Sequence, residues 1–475
     1  MLQEDLEALP KSELIRQIEE LNFRQNSSQS TGACLRTLAK ILFAGLIVSI
    51  PFRYRTVLLE IYIPPIYRDY TDVLFFTSDL FLLATLAVWA GSFLSDRRKL
   101  KFGPVFLTVP ILLLPLIGLL STPLSVAGNI SLYNTIRLIL LVGLYFYVLN
   151  EIRSLDELVI PVGIQVFIQS TIAIGQVLRQ TSIGLRFLGE LDLNPEMSGI
   201  SVVYADGVRS LRAYGLSDHP NILGGSLALG LLFLMIVYPR LVSSWKLVFT
   251  GLFALGSLAL LLTFSRSAWL AFAFGAALLI FLQVKNHLKQ PLTHQLSLLL
   301  STAVVLVPFI WYYAPLVGTR LNYRGSFNQI PQEQQAIGER TLLIQSANEI
   351  FARHPFTGVG LAAFPVALMQ ARPQFPVDYQ PAHFVLLEVA AETGIFGGLV
   401  YFFLMVAPWL VLWLNRRKIV FSIPLIGVTS LLLAVTVIGF FDYYTWLLAP
   451  GRLWQWLIWG LWGAIYTVSL PGGEP

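Results

Sequence analysis

Four short segments of this chain gather residue types able to do chemistry. Thr263-Phe264-Ser265-Arg266-Ser267-Ala268-Trp269 is a tight turn between two apolar runs that leaves a guanidinium at a membrane surface. A guanidinium grips phosphate through a planar fork of donors and never loses its charge; an arginine snorkelling out of lipid gives the same pattern. The second segment, Arg209-Ser210-Leu211-Arg212, leads into Ser217-Asp218-His219-Pro220-Asn221. Ser217 or Asp218 is expected to cap a helix there, with Pro220 in its first turn. Arg209 and Arg212, delivered to that helix N-terminus, would form an anion-attracting patch, with His219 and Asn221 as capping residues.

The third segment is polar. Between Glu339-Arg340 and His354-Pro355, Leu343, Ala347 and Ile350 recur at helical spacing and predict a helix lying on the outer face. Phe356-Thr357-Gly358-Val359-Gly360-Leu361 then reads as a close glycine turn, and 361–370 as a second short helix. The fourth is Pro381-Ala382-His383-Phe384, which begins an amphipathic segment re-entering the membrane. A neutral imidazole can take the proton of an attacking hydroxyl. Glu388 and Glu392 fall one turn apart on one face, placed to orient the histidine or to act in its stead; a purely structural His383 satisfies the same spacing. No cluster has metal-ligand spacing, and no nucleotide-binding glycine loop occurs in a suitable context, so neither metal nor cofactor is expected.

The elements that must position these residues are membrane spans. Of 475 residues, 56% are apolar and only 12% charged, with mean hydropathy +0.69. Soluble domains carry about 25% charged residues. A single cysteine, Cys34, excludes an intrachain disulfide, and a net charge of +5 is too small to argue for nucleic acid. The expected fold is all-α: a polytopic helical membrane protein with about twelve spans. These fall near 36–52, 73–94, 104–120, 131–149, 158–178, 219–238, 245–264, 268–284, 295–314, 395–414, 419–441 and 452–470. Residues 1–34 form a cytoplasmic N-terminal segment, with Leu14, Ile18 and Leu21 along a short helix. That segment lacks the apolar run of a signal peptide and is expected to stay on the chain. Residues 35–314 hold nine spans and an external loop at 179–218, residues 315–394 the long external loop with its short helices, and residues 395–475 three further spans.

Basic residues orient the bundle. With both termini cytoplasmic, all eight lysines fall inside or in the N-terminal region. The external loops then carry fourteen arginines and no lysine. Positive-inside accounts for the missing lysine but not for the arginine that remains, part of which is explained by ordinary ion pairs at Arg53, Arg55 and Arg68.

As an ordered set, the Ser265-Arg266-Ser267-Ala268-Trp269-Leu270 turn, the Arg353–Phe364 segment and the His383–Gly397 run resemble the O-antigen ligase and O-antigen polymerase superfamily. The closing Gly439-Phe440-Phe441-Asp442-Tyr443-Tyr444, followed by Gly451-Arg452, is similar to the last external loop of ligase-like members. The resemblance implies a GT-C-like membrane glycosyltransferase on the outer face of the inner membrane. Such an enzyme moves a glycan from a polyprenyl diphosphate carrier to an acceptor hydroxyl on a glycolipid, a glycan or a protein, without metal or nucleotide sugar. It also implies that Arg266 and Arg212 with Arg209 bind the diphosphate and that His383 serves the acceptor; Arg340 is taken as a further diphosphate ligand and Glu388 as the competing base. The family has His-Asn where this chain has His383-Phe384. A repeat-unit polymerase and a small-solute, bicarbonate-type transporter are the alternatives. The ionisable residues a transporter would need, Asp79, Arg137 and Asp442, lie near span ends, not at the midplane. Reporter fusions at 125, 200 and 345 should behave as external and those at 99 and 417 as internal; a swap at 345 and 417 would put the arginine loops in the cytoplasm and break the site.

Overall fold

The computed structural model describes residues 31–96, 98–205, 207–323 and 331–470. The expected amphipathic helix within 1–30 lies outside them. The chain is an all-α bundle with two small hairpins. Its helices in order are α1 (Thr31–Ser49), α2 (Thr77–Ser95), α3 (Val105–Ser121), α4 (Gly128–Glu151), α5 (Val159–Arg179), α6 (Pro220–Val237), α7 (Ser243–Leu262), α8 (Arg266–Lys285) and α9 (Lys289–Tyr312). Outside the bundle follow α10 (Ala314–Arg320), α11 (Pro331–Arg353) and α12 (Phe364–Ala371). The chain then returns through α13 (Val385–Leu414), α14 (Ile423–Phe441), the single turn α15 (Tyr444–Leu447) and α16 (Ala449–Val468).

Among the described residues, eleven helices are long and apolar enough to cross a membrane. The expected twelfth, α16, is 20 residues long, but Arg452, Gln455 and the tryptophans 454, 456, 459 and 462 dilute its apolarity. Nearly all of it is buried inside the bundle, so its polar groups meet protein instead of lipid. The most buried span, α6, packs against α5, α7, α8 and α14 and forms the centre of the bundle. By contrast α9 buries little and leaves Leu300, Val304 and Trp311 on the outside, as a helix bordering lipid does.

Two strand pairs were not expected. Residues 73–76, read as the start of a span, instead form β2 (Val73–Phe76), antiparallel to β1 (Arg55–Leu59). The second hairpin joins β3 (Val202–Ala205) to β4 (Val208–Leu211). Both are short, and both lie in connections where apolar runs blur into the neighbouring helix.

The long segment between α9 and α13 has its own core. Leu343, Ala347 and Ile350 of α11 are buried against Val359, Phe364, Leu368, Tyr379 and Ala382. The helix expected from their spacing is present and extends further towards the N-terminus than that spacing shows. This core is tied to the bundle by a backbone interlock. Val359 and Gly360 donate to the carbonyls of Ala391 and Glu392 at 3.0 and 2.8 Å, and Ile395 donates to Pro355 at 2.8 Å. The interlock falls where α13 kinks at Gly394 (φ 72°, ψ −174°), which is where the sequence places the start of the tenth span. A side chain on Gly358 would meet the Glu392 carbonyl, and one on Gly394 the Phe356 carbonyl, each at 2.2 Å. The Gly358-x-Gly360 turn is therefore a close-packing device. Gly394→Ala should destabilise the protein by roughly 2–4 kcal/mol, since it adds both a clash and a strained φ. Gly91→Ala, where the added methyl meets nothing within 4 Å, should leave thermal unfolding unchanged.

Candidate active site

The alternation of spans brings the N-termini of α6, α8, α13 and α16 to one end of the bundle, and the four motif segments meet there. Arg212, which follows β4, is buried and braces this region. Its Nε donates to the Thr263 carbonyl, Nη1 to Ser201 Oγ and Nη2 to Asn221 Oδ1, each at 2.7 Å. The first of these bonds holds the turn whose next helix opens with Arg266, so two segments 50 residues apart become one structure.

Asn221 carries the connection onward. Its amide donates to Asp442 Oδ2 at 2.8 Å, while Asp442 Oδ1 lies 3.7 Å from His383 Nδ1. Arg212, Asn221, Asp442 and His383 thus form a continuous polar chain across three helix ends. The Tyr443 ring stands edge-on to His383, with centroids 4.9 Å apart. Phe384, where the similar family has asparagine, stacks on Phe440 at 5.8 Å. An amide nevertheless reaches the histidine's carboxylate partner, from Asn221 on another helix.

The cap of α6 is neither Ser217 nor Asp218. His219 Nδ1 accepts from the Asn221 N–H at 3.1 Å, which leaves Nε2 to carry the proton of the neutral ring. Asp218 instead receives Arg53 and Arg55 at 2.6–2.7 Å, and Arg68 pairs with Glu60 and Asp72. Those three arginines are ion-paired, as expected. The patch expected from Arg209 and Arg212 does not form as a pair. Arg209 sits on β4, over the Tyr204 ring at 5.6 Å, with Glu196 at 3.8 Å, because the extended hairpin separates two residues that a helix would have brought together.

Arg340 takes a place in the site. Its charge acts on both His383 and His219, and those of Arg212 and Arg320 act on His219. Burial is the main cause lowering the His383 pKa to about 4; Arg340 adds to the fall and Asp442 opposes it. The imidazole is therefore neutral well below pH 7. Burial, with Arg212, Arg340 and Arg320, likewise holds His219 well below the usual imidazole value. Glu388 binds the backbone next to His383: fully buried, it accepts the Ala382 N–H at 2.8 Å. Glu392 accepts from Trp446 Nε1 at 2.8 Å. Among the described residues no group of His, Cys, Asp and Glu is arranged to hold a metal.

Residues 250–402 match the family model described as O-antigen ligase. The match spans about a third of the chain. It contains Arg266, Arg320, Arg340 and His383, while Arg212, Asn221 and Asp442 lie outside it and are brought to it only by the fold. No curated protein matches the chain. With eleven helices among the described residues long and apolar enough to cross a membrane, the chain is a multi-pass membrane protein, one stretch of which is similar to O-antigen ligases. Sequence reasoning missed Asn221 as a bridge, Asp442 as the partner of His383, and Arg320. Asp442 stands in the closing segment that resembles ligase-like members, but nothing local pairs it with His383, and no local pattern distinguishes Arg320 from the other loop arginines.

Because the folded His383 binds its proton less readily than the unfolded one, it adds stability above the unfolded value of about 6.5, and that stability is lost as pH falls towards 4. The loss is on the order of 3 kcal/mol. His383→Gln should flatten the fall in melting temperature between pH 6.5 and 4; an unchanged slope would show that the histidine is not buried as described.

Proposed function

We propose that this protein transfers a glycan from a polyprenyl diphosphate carrier to an acceptor hydroxyl on the outer face of the inner membrane, as a metal-independent, ligase-like enzyme. The observation that carries the reading is the convergence of the arginine cluster and the neutral, carboxylate-backed His383 at one end of the bundle. Donor cleavage breaks the bond between the anomeric carbon and the diphosphate oxygen and leaves negative charge on the diphosphate. Arg266, Arg340 and Arg320, with the positive ends of α6 and α8, offer that charge fixed donors in a water-poor interface. Arg212 bonds to Thr263, Ser201 and Asn221, so its part is to hold the Arg266 turn and Asn221 in place. Arg209 takes no part.

The acceptor hydroxyl attacks the anomeric carbon from the opposite side, which inverts that centre, and its proton passes to the His383 imidazole. Arg340 depresses the basicity of His383 in the empty site. A bound diphosphate offsets that positive field, so the histidine gains basicity as the donor arrives. Asp442 then faces the imidazolium and stabilises it.

Arg266→Lys keeps the charge but loses the fork. Transfer by this variant should fall about 30- to 1000-fold, equivalent to about 2–4 kcal/mol of transition-state stabilisation. His383→Ala should abolish transfer and leave binding of the polyprenyl diphosphate donor largely intact. Wild-type turnover by Arg266→Lys would return that arginine to a snorkelling role, and loss of donor binding in His383→Ala would make the histidine a binder, not the base.

A further inference from the structure

The side chain that caps α6 is an uncommon choice. Helix N-caps favour Ser, Thr, Asn, Asp and Gly. Here the accepting atom is His219 Nδ1, 3.1 Å from the Asn221 N–H. That bond fixes the tautomer: Nδ1 uses its lone pair on the helix, so the ring proton stands on Nε2. Nε2 has no hydrogen-bond partner among the described residues, and it is not sealed from water. The charges of Arg212, Arg340 and Arg320 act on this ring, with His383 close by. Arg212 is already bonded to Thr263, Ser201 and Asn221, whereas Arg340 makes no hydrogen bond or ion pair among the described residues. The carboxylate nearest this region, Asp442, is taken by the Asn221 amide and the Tyr443 N–H. A donor held among arginines at the start of α6 thus lacks an acceptor until an anion enters.

We infer that His219, through its Nε2–H, is a catalytic hydrogen-bond donor to the diphosphate oxygen that leaves the anomeric carbon. The inference rests on the transferase reading and deepens it. As the bond between that carbon and the diphosphate breaks, its electron pair stays on the leaving oxygen. The acceptor oxygen bonds to the carbon, and the acceptor proton passes to His383. His219 keeps its own proton throughout. A second proton on Nδ1 would break the cap bond, and a neutral ring gives up its only N–H far too reluctantly to act as an acid. Its part is electrostatic: a donor fixed in advance at the positive end of a helix gains strength as charge develops on the oxygen it faces. The two histidines divide the step, His383 receiving the proton and His219 holding the charge.

Two near-isosteres separate the cap from the donor. Asparagine places Oδ1 where the histidine has Nδ1, so His219→Asn keeps the cap and removes the Nε2–H. Glutamine places an amide nitrogen where the ring has Nε2, so His219→Gln keeps the donor and gives up the cap. The full-length protein in lipid nanodiscs receives labelled polyprenyl diphosphate glycan from the source cell envelope as donor and envelope glycolipid as acceptor. Glycan transfer and free polyprenyl diphosphate are both followed. His219→Asn should keep the wild-type melting temperature and lose about 100-fold in kcat, with donor KM within about threefold of wild type. His219→Gln should melt roughly 1–2 °C lower and keep kcat within about tenfold. Wild-type kcat in His219→Asn would leave the residue a cap and overturn the donor. An equal loss of kcat in both variants, or a rise in donor KM alone, would overturn it too. The transferase reading fails differently: no transfer by the wild-type protein, or full transfer by His383→Ala, would sink it and the donor role with it.

Discussion

A carboxylate buried at the end of a membrane bundle must be matched on every side, and Asp442 meets that constraint by joining separate helices. One of its oxygens takes the amide of Asn221 at 2.8 Å; the other accepts the Tyr443 N–H at 3.0 Å and lies near His383. Asn221 in turn receives Arg212, which grips the Thr263 turn. Unmatched, any member of this chain would carry a desolvation cost of several kcal/mol. The geometry of the site is therefore fixed by polar satisfaction more than by packing, and His383, Asn221 and the Thr263 turn are positioned by the same set of contacts.

A second constraint is the approach of two backbones. Gly358 and Gly394 let the turn after α11 lie directly on the kink of α13, and the exchanged N–H···O=C bonds leave no room for a Cβ on either side. The interlock sets the height at which the loop core sits over the bundle. Through Glu388, which accepts the Ala382 N–H, it also sets the entry of the segment that carries His383. Two of the motifs that carry the family resemblance thus hold each other in place.

The electrostatics follow from these placements. Arg340 lowers the proton affinity of His383 and Asp442 raises it. A histidine between such fields, removed from water, is neutral at rest, and its basicity depends on what charge a substrate brings to the arginine side. This differs from a base poised near pH 7 in the empty protein, which the histidine's type alone suggested.

The sequence by itself determined the spans, because about 20 apolar residues between polar breaks have few alternatives in a bilayer. Eleven of the twelve it indicated are apolar crossing helices, and the start read at 395 falls on the Gly394 kink. It also determined the α11 helix, from the spacing of Leu343, Ala347 and Ile350. Only the tertiary structure decided which residues meet. Arg209 and Arg212 look alike at three positions' separation, yet a hairpin turns one towards Tyr204 and buries the other against Thr263. Asn221 and Asp442 are 221 residues apart and carry no local signal of each other. Periodicity reports the face a residue occupies on its own helix; which partner lies across that face depends on how the helices pack, and no window of sequence contains that.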